Sequence, residues 1–298
     1  MAVIETVELT KYYGINRGIE NLNLTIEEGE VFGFLGPNGA GKTTTIRLLM
    51  AILFPTRGTA SVLGKNAWRD SAAIKEEIGN LPGDLNLYEK MRGEEFLNFI
   101  ARFRPRKPPV LKKELVDRFD LDLKRRIKEY SKGNRQKLGI IQAVMHDPKL
   151  LLLDEPTSGL DPLMQQEFYH LVKELKSRGC TIFISSHILP EIEKVCDRVG
   201  IIKEGSLVAI ERIDTLISKK VRYIDVIFDN PVNPDDFRLP GVISIDKVNN
   251  HLRLTLKGEI DELIKKLAQY KVRDIISTHA SLEEIFLEFY GKGGPSER

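Results

Sequence analysis

The sequence predicts an α/β fold, and three short apolar segments carry that prediction. They are residues 31–35 (VFGFL), 150–153 (LLLL) and 181–185 (TIFIS), and none of them alternates with polar residues. Unbroken apolar strands are typical of a parallel sheet that is covered by helices on both faces. A segment with helical character follows each strand, at about residues 46–50, 162–176 and 190–197. The chain therefore alternates strand and helix, as an open α/β sheet does.

A glycine-rich segment, GPNGAGKTT, lies between the first of these strands and its helix. Its glycines allow successive backbone N–H groups to curl round an anion, and the helix N-terminus adds further N–H groups and a positive dipole. We expect Lys42 to reach the β- and γ-phosphates of a nucleotide and the Thr43 hydroxyl to bind Mg²⁺. The pattern G-x-x-x-x-G-K-T thus predicts a nucleotide site formed by Gly36, Pro37, Asn38, Gly39, Ala40, Gly41, Lys42, Thr43 and Thr44.

Two carboxylates, Asp154 and Glu155, follow the four leucines. They stand at the strand end where open α/β sheets bind ligands. Since two adjacent buried carboxylates are costly without a partner, a metal ion or a positioned water is the simplest explanation. We expect Asp154 to hold Mg²⁺ and Glu155 to orient or deprotonate the attacking water. His187 follows residues 181–185 at the same sheet edge, and we expect it to contact the γ-phosphate.

The N-terminal part of the chain predicts a small antiparallel sheet. Residues 2–10 and 19–26 alternate apolar and polar positions, and Tyr12-Tyr13-Gly14 is expected to form the turn between them. An aromatic side chain beside a nucleotide loop can stack on adenine. Tyr13 is the candidate, and Tyr12 is the alternative. Further short strands are expected at residues 59–64 and 77–81, with a helix over 71–77 between them.

Residues 85–147 differ from the flanking sequence because helical periodicity dominates them. Helices are expected over Arg92–Phe103, Leu111–Phe119 and about Lys132–Met145. We interpret this stretch as a helical subdomain within a first domain of residues 1–215. A connector is expected over 211–220.

The remaining sequence predicts a small α+β domain over residues 216–291, followed by a disordered tail over 292–298. Its strands are expected at 223–228, 242–248, 252–256 and 274–278, and its helix at about 259–270. A last helix is expected from Ser281, which starts a capping-box pattern.

Composition excludes several classes of function. The 45 basic and 43 acidic residues leave a net charge of +2, which gives no nucleic-acid footprint. Cys180 and Cys196 form no C-x-x-C pair, so neither a disulfide framework nor a zinc site is expected, and a reducing compartment is indicated. The N-terminus does not read as a signal peptide. The longest apolar run, residues 48–54, is too short to span a bilayer.

Taken together, these motifs resemble the nucleotide-binding subunits of ATP-binding cassette (ABC) transporters over about residues 2–210. The motifs that carry the resemblance are, in order, KYYG (11–14), GPNGAGKT (36–43), YSKGN (130–134), LLLLDE (150–155), SGLD (158–161) and SH (186–187). The segment 280–288 (ASLEEIFLE) resembles the C-terminal part of exporter ATPases that serve a separate membrane permease. The resemblance implies a P-loop NTPase core with an antiparallel β subdomain and a helical insertion.

The resemblance also implies a function and roles for individual residues. ATP and Mg²⁺ would be bound by Tyr13, the phosphate loop and Asp154, with Lys42, Glu155 and His187 as the catalytic residues. Ser131 and Gly133 would close over the ATP of the opposite subunit, and Asp161 would lie at the subunit interface. The expected protein is an ATPase that dimerises on ATP, as a homo- or heterodimer. It would power transport, with export as the expected direction, through an integral membrane permease at the cytoplasmic face of the membrane.

Two segments depart from the family pattern. The signature Leu-Ser-Gly-Gly-Gln has Lys132 at its third position and Asn134 at its fifth. As a hypothesis, Lys132 adds positive charge near the partner's phosphate or fixes the start of the helix. Gly83 stands where the family has Gln or Glu, so the next oxygen donor, Asp84, either substitutes for it or caps the turn.

Three alternative functions remain open at this point. One is a soluble ABC ATPase that acts on ribosomes or DNA, and another is a regulatory module that binds ATP but hydrolyses it poorly. The third is a small-molecule P-loop kinase, which would need neither the Ser131–Asn134 segment nor so large an insertion. The single cassette, the near-neutral charge and the presence of both Glu155 and His187 favour the transport ATPase.

Overall fold

The computed structural model describes residues 1–104, 108–218 and 222–279. The chain divides into two compact units, Met1–Arg212 and Ile213–Arg298. The first unit contains β1 (Ala2–Tyr13), β2 (Asn16–Glu27), β3 (Val31–Leu35), α1 (Lys42–Leu49), β4 (Arg57–Val62), β5 (Lys65–Asn66), α2 (Ser71–Glu77), β6 (Ile78–Leu81), α3 (Gly93–Arg102), α4 (Lys112–Arg118), α5 (Lys132–Val144), β7 (Leu150–Asp154), α6 (Pro162–Ser177), β8 (Thr181–Ser186), α7 (Leu189–Val195), β9 (Arg198–Lys203) and β10 (Ser206–Arg212).

The central sheet of the first unit has the strand order β10-β9-β3-β8-β7-β6. The three apolar segments of the sequence form β3, β7 and β8, and every residue of these strands is buried. They run parallel, with β8 between β3 and β7. The predicted α/β fold with a parallel sheet buried on both faces is therefore confirmed.

The register of this sheet brings distant parts of the chain to one edge. Leu35, at the end of β3, pairs with Ser186 at the end of β8. Asp154, at the end of β7, pairs with Ser185. The segments that follow these strands consequently emerge side by side, although they lie far apart in the sequence.

A second sheet of the first unit, with the order β2-β1-β4-β5, is antiparallel throughout. The expected turn at Tyr12-Tyr13-Gly14 is wrong by two residues, because β1 continues through Tyr13. Register shifts after Thr6 and Leu9 let the strand bend without ending, so both tyrosines still pair with β2. The turn instead starts at Gly14, whose φ of 61° lies in the left-handed region.

The helical subdomain contains α3, α4 and α5, each within two residues of its predicted ends. A 3-10 turn at Ile127–Glu129 precedes α5. Of the apolar side chains in the predicted helices, Phe99 and Ile100 are half-buried and Phe103 is exposed. Six others are buried: Phe96, Leu97, Leu115, Phe119, Leu138 and Ile141.

The second unit begins with a helix, so the expected connector over residues 211–220 is wrong. Residues 211 and 212 complete β10, and α8 (Ile213–Ser218) follows at once. Four strands come next: β11 (Arg222–Phe228), β12 (Val242–Val248), β13 (His251–Leu256) and, after α9 (Asp261–Leu267), β14 (Val272–His279). They pair in the order β12-β13-β11-β14, and a 3-10 turn occupies Pro234–Phe237.

The core of this unit consists of one face of its sheet and the buried side of α9. Val226, Phe228 and Leu254 pack in one cluster with Leu263 and Leu267 of α9. The helix is shorter than the predicted 259–270, because Gln269 and Tyr270 bond three residues back, to Lys266 and Leu267, and so tighten the chain after the helix. The predicted helix from Ser281 and the predicted tail over 292–298 lie outside the described residues.

No helix within residues 1–104, 108–218 and 222–279 has both the length and the apolarity that a membrane crossing requires.

Candidate active site

The phosphate loop connects β3 to α1, and two of its glycines, Gly36 and Gly41, occupy positions where a side chain would not fit. Gly41 caps α1 with a φ of 110°, which strains any residue that has a Cβ. A Cβ at Gly41 would also lie 2.7 Å from the carbonyl oxygen of Gly18, and one at Gly36 would lie 2.4 Å from that of Ile202. The loop can therefore pass close to neighbouring backbone and present the N-terminus of α1, whose first N–H groups have no partner within the helix.

Lys42, the first residue of α1, joins the loop to a carboxylate. It is buried, and its Nζ donates to the carbonyl oxygens of Gly36 (2.7 Å) and Pro37 (3.2 Å). The same Nζ lies 3.3 Å from Glu155 Oε1. The ammonium group thus lies between the phosphate loop and the end of β7.

Thr43 and Asp154 form the second link between these segments. Thr43 Oγ1 donates to Asp154 Oδ2 at 2.7 Å, and Ser185 Oγ donates to Asp154 Oδ1. Asp154 is buried, so both of its oxygens depend on these two hydroxyl groups. The sequence alone does not single out Ser185, whose place beside Asp154 follows from the pairing of β8 with β7.

Glu155 has a strained backbone conformation, and one oxygen of its carboxylate has no hydrogen-bond donor among the described residues. Its φ of 50° is in the left-handed region, and its N–H donates to the carbonyl oxygen of Ser185 at 3.2 Å. One carboxylate oxygen, Oε2, lies 2.7 Å from His187 Nδ1. The other, Oε1, is shielded from solvent and accepts no hydrogen bond from any described residue, although Lys42 lies at ion-pair distance.

These residues fit a nucleotide with Mg²⁺. The buried Oε1 is an acceptor without a donor, which a positioned water would satisfy. Thr43 and Asp154 offer adjacent oxygens, and oxygen is the ligand that Mg²⁺ requires. The part of the chain that the structure describes holds no group of three or more His, Cys, Asp or Glu side chains suited to a metal ion.

Of the two candidate tyrosines, Tyr13 is the one beside the phosphate loop. Its hydroxyl lies 3.4 Å from Thr44 Oγ1, and its ring is partly exposed. Tyr12 instead donates to Glu20 at 2.8 Å, and this hydrogen bond raises the pKa of Tyr12. A Cβ at Gly18 would lie 2.8 Å from the Tyr13 ring, so the glycine leaves room for that ring.

The segment with Ser131 and Gly133 has local partners. Ser131 caps α5 by accepting a hydrogen bond from the Asn134 N–H at 3.2 Å. A Cβ at Gly133 would lie 2.8 Å from the carbonyl oxygen of Gly159, so α5 begins close to residues 158–161. Asp161 caps α6 through the Met164 N–H at 3.0 Å. No hydrogen bond among the described residues joins Ser131 or Gly133 to the phosphate loop.

Gly83 lies against the carboxylate of Asp154. A Cβ at this glycine would be 3.0 Å from Asp154 Oδ2, the oxygen that accepts from Thr43. Asp84, the next residue, is exposed. The position that the family fills with a long side chain is thus occupied here by backbone in close contact with the acidic group.

Two buried side chains near the site were missed by the sequence analysis. Gln136 on α5 donates to the carbonyl oxygens of Glu155 and Pro156. Glu191 on α7 accepts hydrogen bonds from Thr157 and from Ser186, which are the residues beside the acidic segment and beside His187. No spacing rule signals these residues, because the partners of Gln136 lie 19 and 20 residues away and Thr157 lies 34 residues from Glu191.

Comparison with known proteins agrees with this site. Residues 19–158 match the family model of ABC transporters. The bacitracin transport ATP-binding protein BcrA of Bacillus licheniformis is 34% identical over 310 residues, which cover 98% of this chain and 98% of BcrA. The uncharacterized ABC transporter ATP-binding protein YhcH of Bacillus subtilis is 34% identical and covers 97% of this chain and 96% of its own length.

A solved structure of the ATP-binding subunit of an ABC transporter is 30% identical, with a TM-score of 0.64 over 72% of this chain and 91% of the other. The dimeric, post-hydrolysis structure of the ATP-binding cassette MJ0796, bound to ADP and Pi, has a TM-score of 0.65 at 22% identity over 70% and 98% of the two chains, which shows the shared fold. The chain aligns with the named relatives over nearly its whole length, and it has the phosphate loop described above. The chain therefore belongs to the ABC transporter family, as an ATP-binding subunit with ATPase activity.

Proposed function

We propose that this chain hydrolyses MgATP in a head-to-tail dimer and powers export through a separate membrane permease, from the cytoplasmic face of the membrane. The observation that carries the proposal is the convergence of Lys42, Glu155 and His187 with the Thr43–Asp154 pair at one edge of the central sheet. Cation, carboxylate, imidazole and metal-binding oxygens are the groups that phosphoryl transfer to water needs.

The roles of the individual groups follow from their positions. Lys42 exchanges its bonds to the Gly36 and Pro37 carbonyls for the β- and γ-phosphates. Thr43 and Asp154 would hold Mg²⁺, which would supply positive charge beside the phosphate oxygens. Glu155 orients the water and takes its proton as the water oxygen bonds to the γ-phosphorus and the bond to the ADP oxygen breaks. His187 contacts the γ-phosphate, and Tyr13 stacks on adenine.

The second ATPase subunit supplies the remaining groups. The chain has one phosphate loop and one Ser131–Asn134 segment, and neither is repeated. The Ser131 segment opens α5, a helix of 13 residues whose N-terminus favours an anion. In this proposal Ser131 and Gly133 close over the ATP of the opposite subunit, with Asp161 at the interface. Binding of two ATP molecules closes the dimer, and hydrolysis opens it.

The helical subdomain and the segment around Gly83 supply the surface for the permease. A cavity of about 290 Å³ opens there, lined in part by Pro82, Leu85, Tyr88, Phe96 and Ile100. Aromatic rings continue from it along α3, with Phe103 strongly exposed at the end of the helix. An exposed aromatic patch of this kind is typical of a surface that contacts another protein.

The second unit is proposed as an accessory domain.

The proposal is tested by Glu155→Gln, which keeps the size of the side chain but cannot take a proton. ATP binding and ATP-dependent dimerisation should persist, while turnover falls about 100-fold or more. ATPase assays and light scattering with ATP measure these properties. Glu167→Gln is a matched control, since Glu167 pairs with Arg118 and lies on α6 away from the site. Wild-type turnover of the Glu155 variant would contradict the base assignment.

The metal and partner assignments have tests of their own. Asp154→Asn should raise the Mg²⁺ concentration needed for ATP binding about tenfold or more, because a ligand charge is lost.

Co-purification of a membrane protein with the tagged chain is expected. Binding to DNA or RNA at low salt would instead favour a nucleic-acid ATPase, since phosphate contacts are strongest there.

A further inference from the structure

Gln136 is a buried side chain whose hydrogen bonds are directed at the backbone of the catalytic segment. It lies on the second turn of α5 and is 5% exposed. Its Nε2 donates to the carbonyl oxygen of Glu155 at 3.2 Å and to that of Pro156 at 2.8 Å. Both amide hydrogens are thereby engaged, one on each of two consecutive carbonyl groups.

The backbone that Gln136 contacts is one that needs support. Glu155 has a φ of 50°, which is unfavourable for a residue with a Cβ and persists where the surroundings hold it. On the N-terminal side, the Glu155 N–H donates to Ser185 of β8. On the C-terminal side, the carbonyl groups of Glu155 and Pro156 are held by Gln136. The direction of the Glu155 side chain depends on this conformation, because the Cα–Cβ bond turns with the backbone.

The position of Gln136 on α5 gives the contact a second consequence. The same helix starts at Ser131, and its first residue, Lys132, packs its aliphatic stem over Gly159. One rigid helix therefore carries both the segment proposed to close over the second subunit's ATP and the amide that holds Glu155. The backbone hydrogen bonds of α5 are internal to the helix, so a displacement at one end is expected to be felt at the other.

We propose that Gln136 is a positioning residue for Glu155: its amide fixes the strained backbone that aims the carboxylate at the water, and it ties that backbone to the helix of Ser131. The proposal rests on the assignment of Glu155 as the base. It adds a residue that touches neither ATP nor water and yet sets the rate of the chemical step.

Gln136→Met tests the proposal, since methionine has nearly the same length and no donor. The expected result is a fall in kcat of about tenfold or more, because a displaced base is a poor one. The KM for ATP should stay within about twofold, since ground-state binding is unchanged. Gln142→Met is the matched control: Gln142 lies on the same helix and donates to the carbonyl oxygen of Asn80 at 2.8 Å. It should keep kcat within about twofold of the wild type.

A double-mutant cycle separates positioning from a general structural effect. If Gln136 acts through Glu155, the pair Glu155→Gln and Gln136→Met should be no slower than Glu155→Gln alone. Should the methionine variant fold poorly, Gln136→Glu keeps the side-chain shape and replaces both donor hydrogens with an acceptor oxygen, and the same loss of kcat is expected.

Several results would overturn the proposal. They are a Gln136→Met enzyme that matches Gln142→Met in kcat, a rise in KM at unchanged kcat, or a further multiplicative loss in the double variant. An inactive Glu155→Gln beside an unimpaired Gln136→Met would contradict this proposal alone. Wild-type turnover of Glu155→Gln would contradict the base assignment, and this proposal with it.

Discussion

His187 Nδ1 lies 2.7 Å from Glu155 Oε2, at the adjoining ends of β8 and β7. At this distance the ring donates its Nδ1–H to the carboxylate, which leaves the other ring nitrogen, Nε2, on the far edge of the imidazole. One side chain thus orients the carboxylate and directs its second nitrogen away from it. The two residues form one hydrogen-bonded unit, so changing either one should affect the same step.

Replacement of His187 tests that relationship. His187→Ala removes both the partner of Oε2 and the proposed γ-phosphate contact, and kcat should fall about 100-fold. His170→Ala is the matched control, because His170 is an exposed histidine on α6 whose ion-pair partner, Glu167, lies 3.8 Å away. Steady-state ATPase kinetics measure both variants. Equal loss in the two would indicate that the histidine contact is not part of the reaction.

Gly83→Ala should raise the Mg²⁺ requirement. Its Cβ would be 3.0 Å from Asp154 Oδ2, the oxygen that accepts from Thr43, so a small displacement of this carboxylate is expected. Displacement of a carboxylate that binds or orients a metal, as Asp154 is proposed to do, is expected to weaken metal binding about tenfold. The Mg²⁺ dependence of ATP binding, followed by nucleotide fluorescence, gives the number directly. An unchanged Mg²⁺ dependence would show that Asp154 accommodates the methyl group.

Gly179→Ala provides the control for that experiment. Gly179 has a φ of 88° with no atom within 4 Å of the added Cβ, and it lies in the turn after α6. Its replacement should cost about 1–2 kcal/mol of folding free energy through backbone strain. It should leave the Mg²⁺ dependence unchanged.

Lys132→Gly tests the departure in the signature segment. Lys132 is exposed at the first position of α5, with its stem against Gly159. Glycine removes the charge and weakens the helix start, so the ATP concentration that drives dimerisation should rise roughly two- to fivefold. Lys132→Met keeps the stem and removes only the charge, which separates the two hypotheses. Unchanged ATPase rate and dimerisation in the glycine variant would contradict both.

Two buried tyrosines predict a loss of stability at high pH. Burial raises the pKa of Tyr130 and that of Tyr169 from 10.0 to about 12. Between these values the unfolded chain has lost the phenolic protons and the folded chain retains them, so the free energy of unfolding falls as pH rises. Urea denaturation at pH values from about 9 to about 12 measures the decline. Tyr130→Phe and Tyr169→Phe should each make it less steep, and an unchanged slope in both would contradict the assignment.

The sequence predicted the parts of the site that short segments encode. Unbroken apolar runs identify β3, β7 and β8, and the residues after each strand must then meet at one edge. Gln136 and Ser185 escaped prediction because hydrogen-bond partners across 19 and 31 residues leave no local pattern. The length of the first strand was underestimated, because its bulges interrupt the alternation of apolar residues without ending the pairing with β2.

In the second unit the strands were predicted correctly, but one short helix was missed. The strands were predicted within two residues, and two of them, β11 and β13, bury alternate residues as half-buried strands do. The helix Ile213–Ser218 was interpreted as a connector, because six residues are too few to show helical periodicity.

The place of β8 in the central sheet has a consequence for the newly made protein. β8 is the sole neighbour that β3 and β7 share, and it is translated after both. Until the ribosome has released residues 181–187, the phosphate loop and the acidic segment have no strand to hold them together, and His187 is still missing. We therefore expect nascent chains, and chains truncated before β8, to lack ATPase activity, because they lack both the strand between β3 and β7 and His187.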